Sequence, residues 1–224
     1  MSQQHEFVIL YDLYEAYYAH NGKKIQQLLV ETKEADIQKS KKEIVVTEIK
    51  LIDAILKEDY STISPKDKLL LKHNIFWKDN WSKFTLSLFA NSMVLFTTPE
   101  MTYFVEAIFK MYVKRRDKEK DHKRDNIIMT IAINFISTCI KNDEDELTTP
   151  ALKILDDIQP VPENTFYKLT TVFYEYLLKS RKKSENQANT AKIQCVLSIF
   201  KEIGLKQYSE DLNAFYINYR TREI

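Results

Sequence analysis

The stretch Asp125-Asn126-Ile127-Ile128-Met129-Thr130-Ile131-Ala132-Ile133-Asn134-Phe135-Ile136-Ser137-Thr138-Cys139-Ile140-Lys141 decides the fold. Ile127, Ile128, Ile131, Phe135, Ile136 and Cys139 recur at three- and four-residue steps, the period of a helix packed on its neighbours. Between these apolar stripes run Thr130, Asn134 and Ser137, at i, i+4 and i+7. That spacing places three uncharged polar groups on one helix face.

The same period extends outward in both directions. Upstream, Phe7, Leu10, Tyr11, Tyr14, Tyr17 and Tyr18 belong to a first helix, and Asn21-Gly22 is expected to close it, because glycine tolerates the left-handed position after a helix. Ile25, Leu28 and Leu29 mark a second helix. Ile44, Val45, Glu48, Leu51, Ile52 and Ile55 mark a long third. Ser64-Pro65-Lys66-Asp67 and Thr98-Pro99-Glu100 are start signals: a hydroxyl cap, proline in the first turn, then an acid. They open the fourth and sixth helices, and Asp79-Asn80-Trp81 opens the fifth. Lys114 to Arg124 reads as a solvated helix end and loop. Downstream, Thr149-Pro150 begins an eighth helix. Residues 163–180 form a ninth and 187–203 a tenth, ended by Gly204, and 206–220 an eleventh.

The composition agrees. The chain of 224 residues holds 2 Gly and 5 Pro, where average usage would give about 16 and about 11. Sheets joined by tight turns need more of both. Apolar residues at 44% exclude general disorder. A net charge of +1 is a poor basis for coating DNA or an anionic membrane. No apolar run reaches the ~18–20 residues of a membrane span, and residues 1–6 lack the pattern of a signal peptide. A cytoplasmic location is expected, with Cys139 and Cys195 as reduced, buried small hydrophobes.

The odd-numbered helices begin near residues 5, 40, 82, 124, 163 and 206, a spacing of about 35 to 43, the period of two-helix solenoid repeats. The expected fold is all-α: a tetratricopeptide-like α-solenoid of about five helical hairpins and a C-terminal cap helix, in a single domain over residues 1–224. In such a solenoid the first helix of each pair usually lines the concave side. On the fifth helix Ser87 and Asn91 stand at i, i+4. Asn91 lies 43 residues before Asn134, and one further repeat falls at Tyr174 and Tyr176. An asparagine side chain carries both a donor and an acceptor, and so can pair with the main chain of an extended peptide. It can equally tie two helices together, since buried polar groups must find partners. Spacing leaves both open.

Enzyme signatures are missing. Two glycines cannot build a phosphate loop, and His5, His20, His73 and His122 show no catalytic or metal spacing. No metal or cofactor is expected. Acid runs such as Asp143-Glu144-Asp145 and Asp156-Asp157 read as solvated loops and helix ends. The basic cluster from Lys114 to Arg124 is interrupted by Asp117, Glu119 and Asp121, unlike a nucleic-acid reader.

Trp77-Lys78-Asp79-Asn80-Trp81, Phe89-Ala90-Asn91-Ser92, Phe96-Thr97-Thr98-Pro99-Glu100, Ile131-Ala132-Ile133-Asn134-Phe135 and Ile199-Phe200-Lys201-Glu202-Ile203-Gly204-Leu205 follow one another in an order that resembles the C-terminal regulatory domain of the Rgg/GadR/MutR transcription regulators. The resemblance implies a dimeric solenoid that binds a short hydrophobic signalling peptide on its concave face. It assigns peptide contact to Asn91 and Asn134; Ser87, Thr130, Tyr174 and Tyr176, placed near them by spacing, are expected as further contacts. DNA would be reached only through a helix-turn-helix module that this chain does not show. Many members carry an arginine shortly after the first asparagine, whereas Ser92, Met93 and Val94 follow here. The terminal aromatics Tyr208, Phe215, Tyr216 and Tyr219 exceed what one side of a cap helix buries, so some are expected to meet a second subunit. The alternative is a constitutive helical interaction scaffold without a peptide effector.

Overall fold

The computed structural model describes residues 9, 12–76, 81–116, 121–182 and 187–220. Among them every regular element is helical. Residues 12–18 are α1. There follow α2 (Gly22–Glu34), α3 (Lys39–Lys57), α4 (Pro65–Phe76), α5 (Lys83–Ser92), α6 (Thr98–Arg116), α7 (His122–Lys141), α8 (Thr149–Asp157), α9 (Thr165–Lys182), α10 (Gln187–Glu202) and α11 (Lys206–Tyr219). The chain divides into two units, Met1–Leu95 and Phe96–Ile224. The expectations resting on His5, Phe7, Leu10 and Tyr11, on Trp77 to Asn80 and on residues 117–120 lie outside the described residues.

Local chemistry sets the boundaries. At the start of α4 the Ser64 hydroxyl accepts from the Asp67 amide at 3.1 Å, while the Asp67 carboxylate accepts from the Ser64 amide at 3.1 Å. Two otherwise orphaned amides are satisfied reciprocally. The cap of α6 sits one residue before its expected place. Thr97, not Thr98, is the cap, its amide donating to Glu100 Oε2 at 2.9 Å. Glu100 stands three residues after the cap, as a T-x-x-E box requires, only in that register. The α1–α2 turn also departs from expectation. His20 takes the left-handed conformation (φ 51°), and Asn21 caps α2 by accepting from the Lys24 amide. Gly22 is simply the first residue of α2. Gly204 does adopt φ 92° after α10. α7 begins three residues before its expected start, because Asp121 accepts from the Arg124 amide at 3.2 Å.

In the first unit, α2 packs on α3, and α3 on α4 and α5. Ile9, Leu13, Ala16, Ile25, Leu28, Ile37, Val45, Ile49 and Ile52 form one apolar cluster there. Burying such side chains contributes about 1.5–3 kcal/mol each relative to exposure.

In the second unit α6 and α7 run antiparallel. The Tyr112 hydroxyl near the end of α6 donates to Asp125 Oδ1 at 2.7 Å, and Asn142 beyond α7 donates to Thr98 Oγ1 at 2.9 Å. α7, α9 and α11 run parallel, as successive first helices of a solenoid must. At their leading ends, Asn126 donates to the Glu163 carbonyl, 37 residues on, and Thr170 meets the Tyr208 hydroxyl, 38 residues on. At their trailing ends Arg181 donates to the Ile140 carbonyl at 3.4 Å and to the Tyr219 carbonyl. Phe135, Phe173 and Phe200 are fully buried in this unit.

Arg181 was not legible as a fold determinant. Its guanidinium is wholly buried and sits 2.9 Å from Asp145, which is 1% exposed, and 2.5 Å from Asp143. The acid run after α7 is therefore not simply a solvated loop: Asp145 neutralises an interior arginine. Cys139 is buried, but Cys195 is exposed on α10, contrary to expectation.

Candidate functional site

The polar stripe of α7 lies where the sequence places it. Thr130, Asn134 and Ser137 are each half-buried, flanked by Ile131, Ile133, Phe135 and Ile136, which are buried. The backbone supports the stripe. The Thr130 hydroxyl donates to the Asn126 carbonyl at 2.9 Å, and the Thr138 hydroxyl to the Asn134 carbonyl at 2.9 Å. Between α7 and α9 the offset is 37 residues at one end and 41 at the other. Carried forward from Asn134, it reaches residues 171–175, and from Ser137 residues 174–178. Val172, Glu175 and Tyr176 in that range are half-buried. Lys179 places its Nζ 4.5 Å from the Tyr176 ring centroid. Partly exposed amide, hydroxyl and aromatic groups thus occur at one level of two parallel helices.

Tyr174 is placed differently from Tyr176. Two residues apart on a helix means about 200° of rotation. Tyr174 is 5% exposed, with its ring edge-on to Phe215 at 5.6 Å.

In the first unit Ser87 and Asn91 are half-buried on one face of α5. Asn91 is engaged. Its amide donates to the Tyr14 hydroxyl at 2.5 Å and to Glu48 Oε1 at 2.5 Å, and Tyr14 itself donates to that oxygen at 3.3 Å. The cluster joins α1, α3 and α5. Glu48 is 1% exposed. Burial pushes its carboxyl up to about 7, against the opposing pull of the hydrogen bonds from Asn91 and Tyr14. Burial and the neighbouring Glu48 also hold the Tyr14 phenol well above its ordinary value. After Asn91 comes no cation: Ser92 is buried and donates to the Leu88 carbonyl at 2.6 Å, Met93 is buried, and Val94 is exposed. The signal for this cluster was present in the sequence as a glutamate inside the apolar stripe of α3. Its partners, 34 and 43 residues away, were not legible.

The terminal aromatics have partners within the second unit. Tyr208 packs against Phe166 and Phe200, with ring centroids 4.9 and 5.1 Å away. Phe215 contacts Tyr174 and Tyr219, and the Tyr216 hydroxyl lies 3.3 Å from Thr190 Oγ1. α11 buries side chains against both α9 and α10, more than one face of a cap helix. Ile203 and Ile217, 60% and 57% exposed, are the large apolar side chains left at the surface of the last hairpin.

Among the described residues, no group of acids, histidines or cysteines is disposed to hold a metal, and no helix is long and apolar enough to cross a membrane. Cys139 is pushed up to about 12 by burial and by Glu144 and Asp145, so it remains a thiol.

Residues 10–214 match the family described as the C-terminal domain of the HTH-type transcriptional regulator Rgg, and the chain belongs to that family. It is a family of transcription-regulator domains, not of enzymes. The fold is similar to that of a Listeria monocytogenes EGD-e protein classed as a transcriptional regulator, with TM-score 0.71 and 17% identity, covering 96% of this chain and 74% of that one. It is also similar to the SHP pheromone receptor Rgg2 of Streptococcus dysgalactiae, with TM-score 0.66 and 16% identity, covering 95% and 77%. A cysteine-to-serine variant of that receptor gives TM-score 0.67 and 16% identity, covering 96% and 75%.

Proposed function

We propose that this domain senses a short hydrophobic signalling peptide in the cytoplasm and passes the signal through a homodimer to a DNA-binding module. One observation carries the reading: Thr130, Asn134 and Ser137 form a half-buried, uncharged stripe on α7, while the ends of that helix are fixed to α9. A rigid row of amide and hydroxyl groups pairs with peptide main chain without fixing its sequence, and the half-buried Val172 and Tyr176 on α9 take side chains. Asn134 is the principal contact, Thr130 and Tyr176 are secondary, and the buried Tyr174 shapes the wall behind them. Ser87 and Asn91 are proposed contacts on the first unit in their own right. The receptor fold of the Streptococcus protein supports the reading.

The dimer contact is proposed on α11, at the outward edges of Tyr208, Phe215 and Tyr219 with Tyr216 behind them. A peptide then acts by binding the two dimer arrangements unequally. Calorimetric titration with a pool of eight-residue apolar peptides tests the reading. Saturable binding is expected, and no heat at tens of micromolar would refute it.

A second reading, a constitutive interaction scaffold, is favoured by the engagement of Asn91 with Tyr14 and Glu48, which is a helix tie. It is distinguished by variants at the two asparagines, taken up below.

A further inference from the structure

The Tyr14–Glu48–Asn91 cluster holds a carboxylate in the interior of the first unit, and both of its hydrogen-bond partners there are neutral. A buried carboxylate is ordinarily matched by a cation, as Asp145 is matched by Arg181 in the second unit. Around Glu48 the place of the cation is taken by the Asn91 amide. Its nitrogen lies 2.5 Å from both Glu48 Oε1 and the Tyr14 hydroxyl oxygen, closer than the usual 2.7–3.2 Å range. That point is where the nitrogen of a primary ammonium would sit.

We infer that this cluster is a binding site for the ammonium group of the effector, a lysine side chain or a free N-terminus. The inference rests on the peptide-sensing reading and adds the charge of the ligand to it. Asn91 is half-buried, whereas Glu48 is 1% exposed, so entry of an ammonium requires the Asn91 side chain to rotate away from the carboxylate. Its carbonyl oxygen then joins the carboxylate and the phenol oxygen, and three acceptors match the three donors of an ammonium. Exchange of a neutral donor for a charged one strengthens the bond to the carboxylate. Among the described residues, the groups facing Glu48 from the packed helices are Tyr14 on α1 and Asn91 on α5, and Tyr18 acts on Tyr14 from α1. None of these supplies a positive charge.

The test uses two pools of eight-residue apolar peptides, acetylated at the N-terminus, one with a terminal lysine and one with norleucine in its place. Both are titrated into the wild type and Glu48→Gln. In parallel, n-butylammonium and n-butanol are titrated while the Asn91 side-chain amide is followed by NMR. The expected result is at least tenfold tighter binding of the lysine pool by the wild type, with the preference lost in Glu48→Gln. Equal binding of both pools by the wild type would overturn the ammonium site and leave the peptide sensor standing. Binding of neither pool would sink the peptide reading itself. The amine arm then decides the site alone. A shift of the Asn91 amide by n-butylammonium, absent with n-butanol and in Glu48→Gln, upholds it, and no shift overturns it.

Discussion

The Asn91 amide donates to Glu48 Oε1 across 2.5 Å, joining two helices through residues 43 apart in sequence. Asn134, the next asparagine at the same spacing, sits half-buried on α7 with hydroxyl-bearing residues on its face. The sequence presents the two asparagines as equivalent, yet Asn91 bonds a buried carboxylate, and truncation there removes a bond to a charged group.

Asn91→Ala removes the donor shared by Tyr14 and Glu48. Leaving a buried polar group short of a partner costs about 1–3 kcal/mol. Urea denaturation should show a loss in that range. An unchanged midpoint would show that the cluster contributes nothing to holding α1, α3 and α5 together.

Glu48 makes stability depend on pH in an unusual direction for a carboxyl. Its pKa rises from 4.5 to about 7 on folding, so the folded state binds the extra proton between those values. The contribution is fully present below pH ~4.5 and is lost as pH rises through about 7. At about 1.4 kcal/mol per unit, it is on the order of 3–4 kcal/mol. Thermal melts should therefore fall between pH 5 and pH 8 more steeply in the wild type than in Glu48→Gln. Parallel profiles would contradict the assignment.

Arg181 binds the trailing ends of α7, α9 and α11 together through Asp143, Asp145 and two main-chain carbonyls. Arg181→Met leaves Asp145 buried without its cation. Removing one partner of a buried pair costs about 3–5 kcal/mol. The variant should unfold at markedly lower urea concentration, and Asp145→Asn in the same background should recover part of the loss. A wild-type midpoint for Arg181→Met would contradict this account.

Dimerisation through α11 predicts the dimer mass in light scattering at micromolar concentration. A wild type that is monomeric at that concentration would rule the contact out.

Much of the fold was legible because helical period, caps and repeat length are local signals. The Ser64–Asp67 box and the stop at Gly204 needed nothing beyond a few neighbouring residues. The errors also have local causes. Thr97 and Thr98 are both good caps, and only the side chain of Glu100 selects between them. His20 took the left-handed position that Gly22 was expected to fill, because Asn21 was needed as the cap of α2. The Glu48 cluster and the Arg181 node were illegible because their partners lie 34 to 43 residues away, and nothing in one segment reveals the charge that another will bury. For the candidate site, the stripe on α7 followed from periodicity. The inward rotation of Tyr174 relative to Tyr176 follows from the helix, and residue spacing by repeat alone did not separate them.

The most direct test of the central claim is Asn134→Ala, read by two measurements on one preparation: affinity for the apolar peptide pool and melting temperature. The account predicts at least tenfold weaker peptide binding, with melting within about 2 °C of the wild type, as expected for loss of about 0.5 kcal/mol or less from a chain of this size. Undiminished binding, or a large fall in melting with binding retained by the folded fraction, would make Asn134 a helix tie and remove the stripe as the recognition surface.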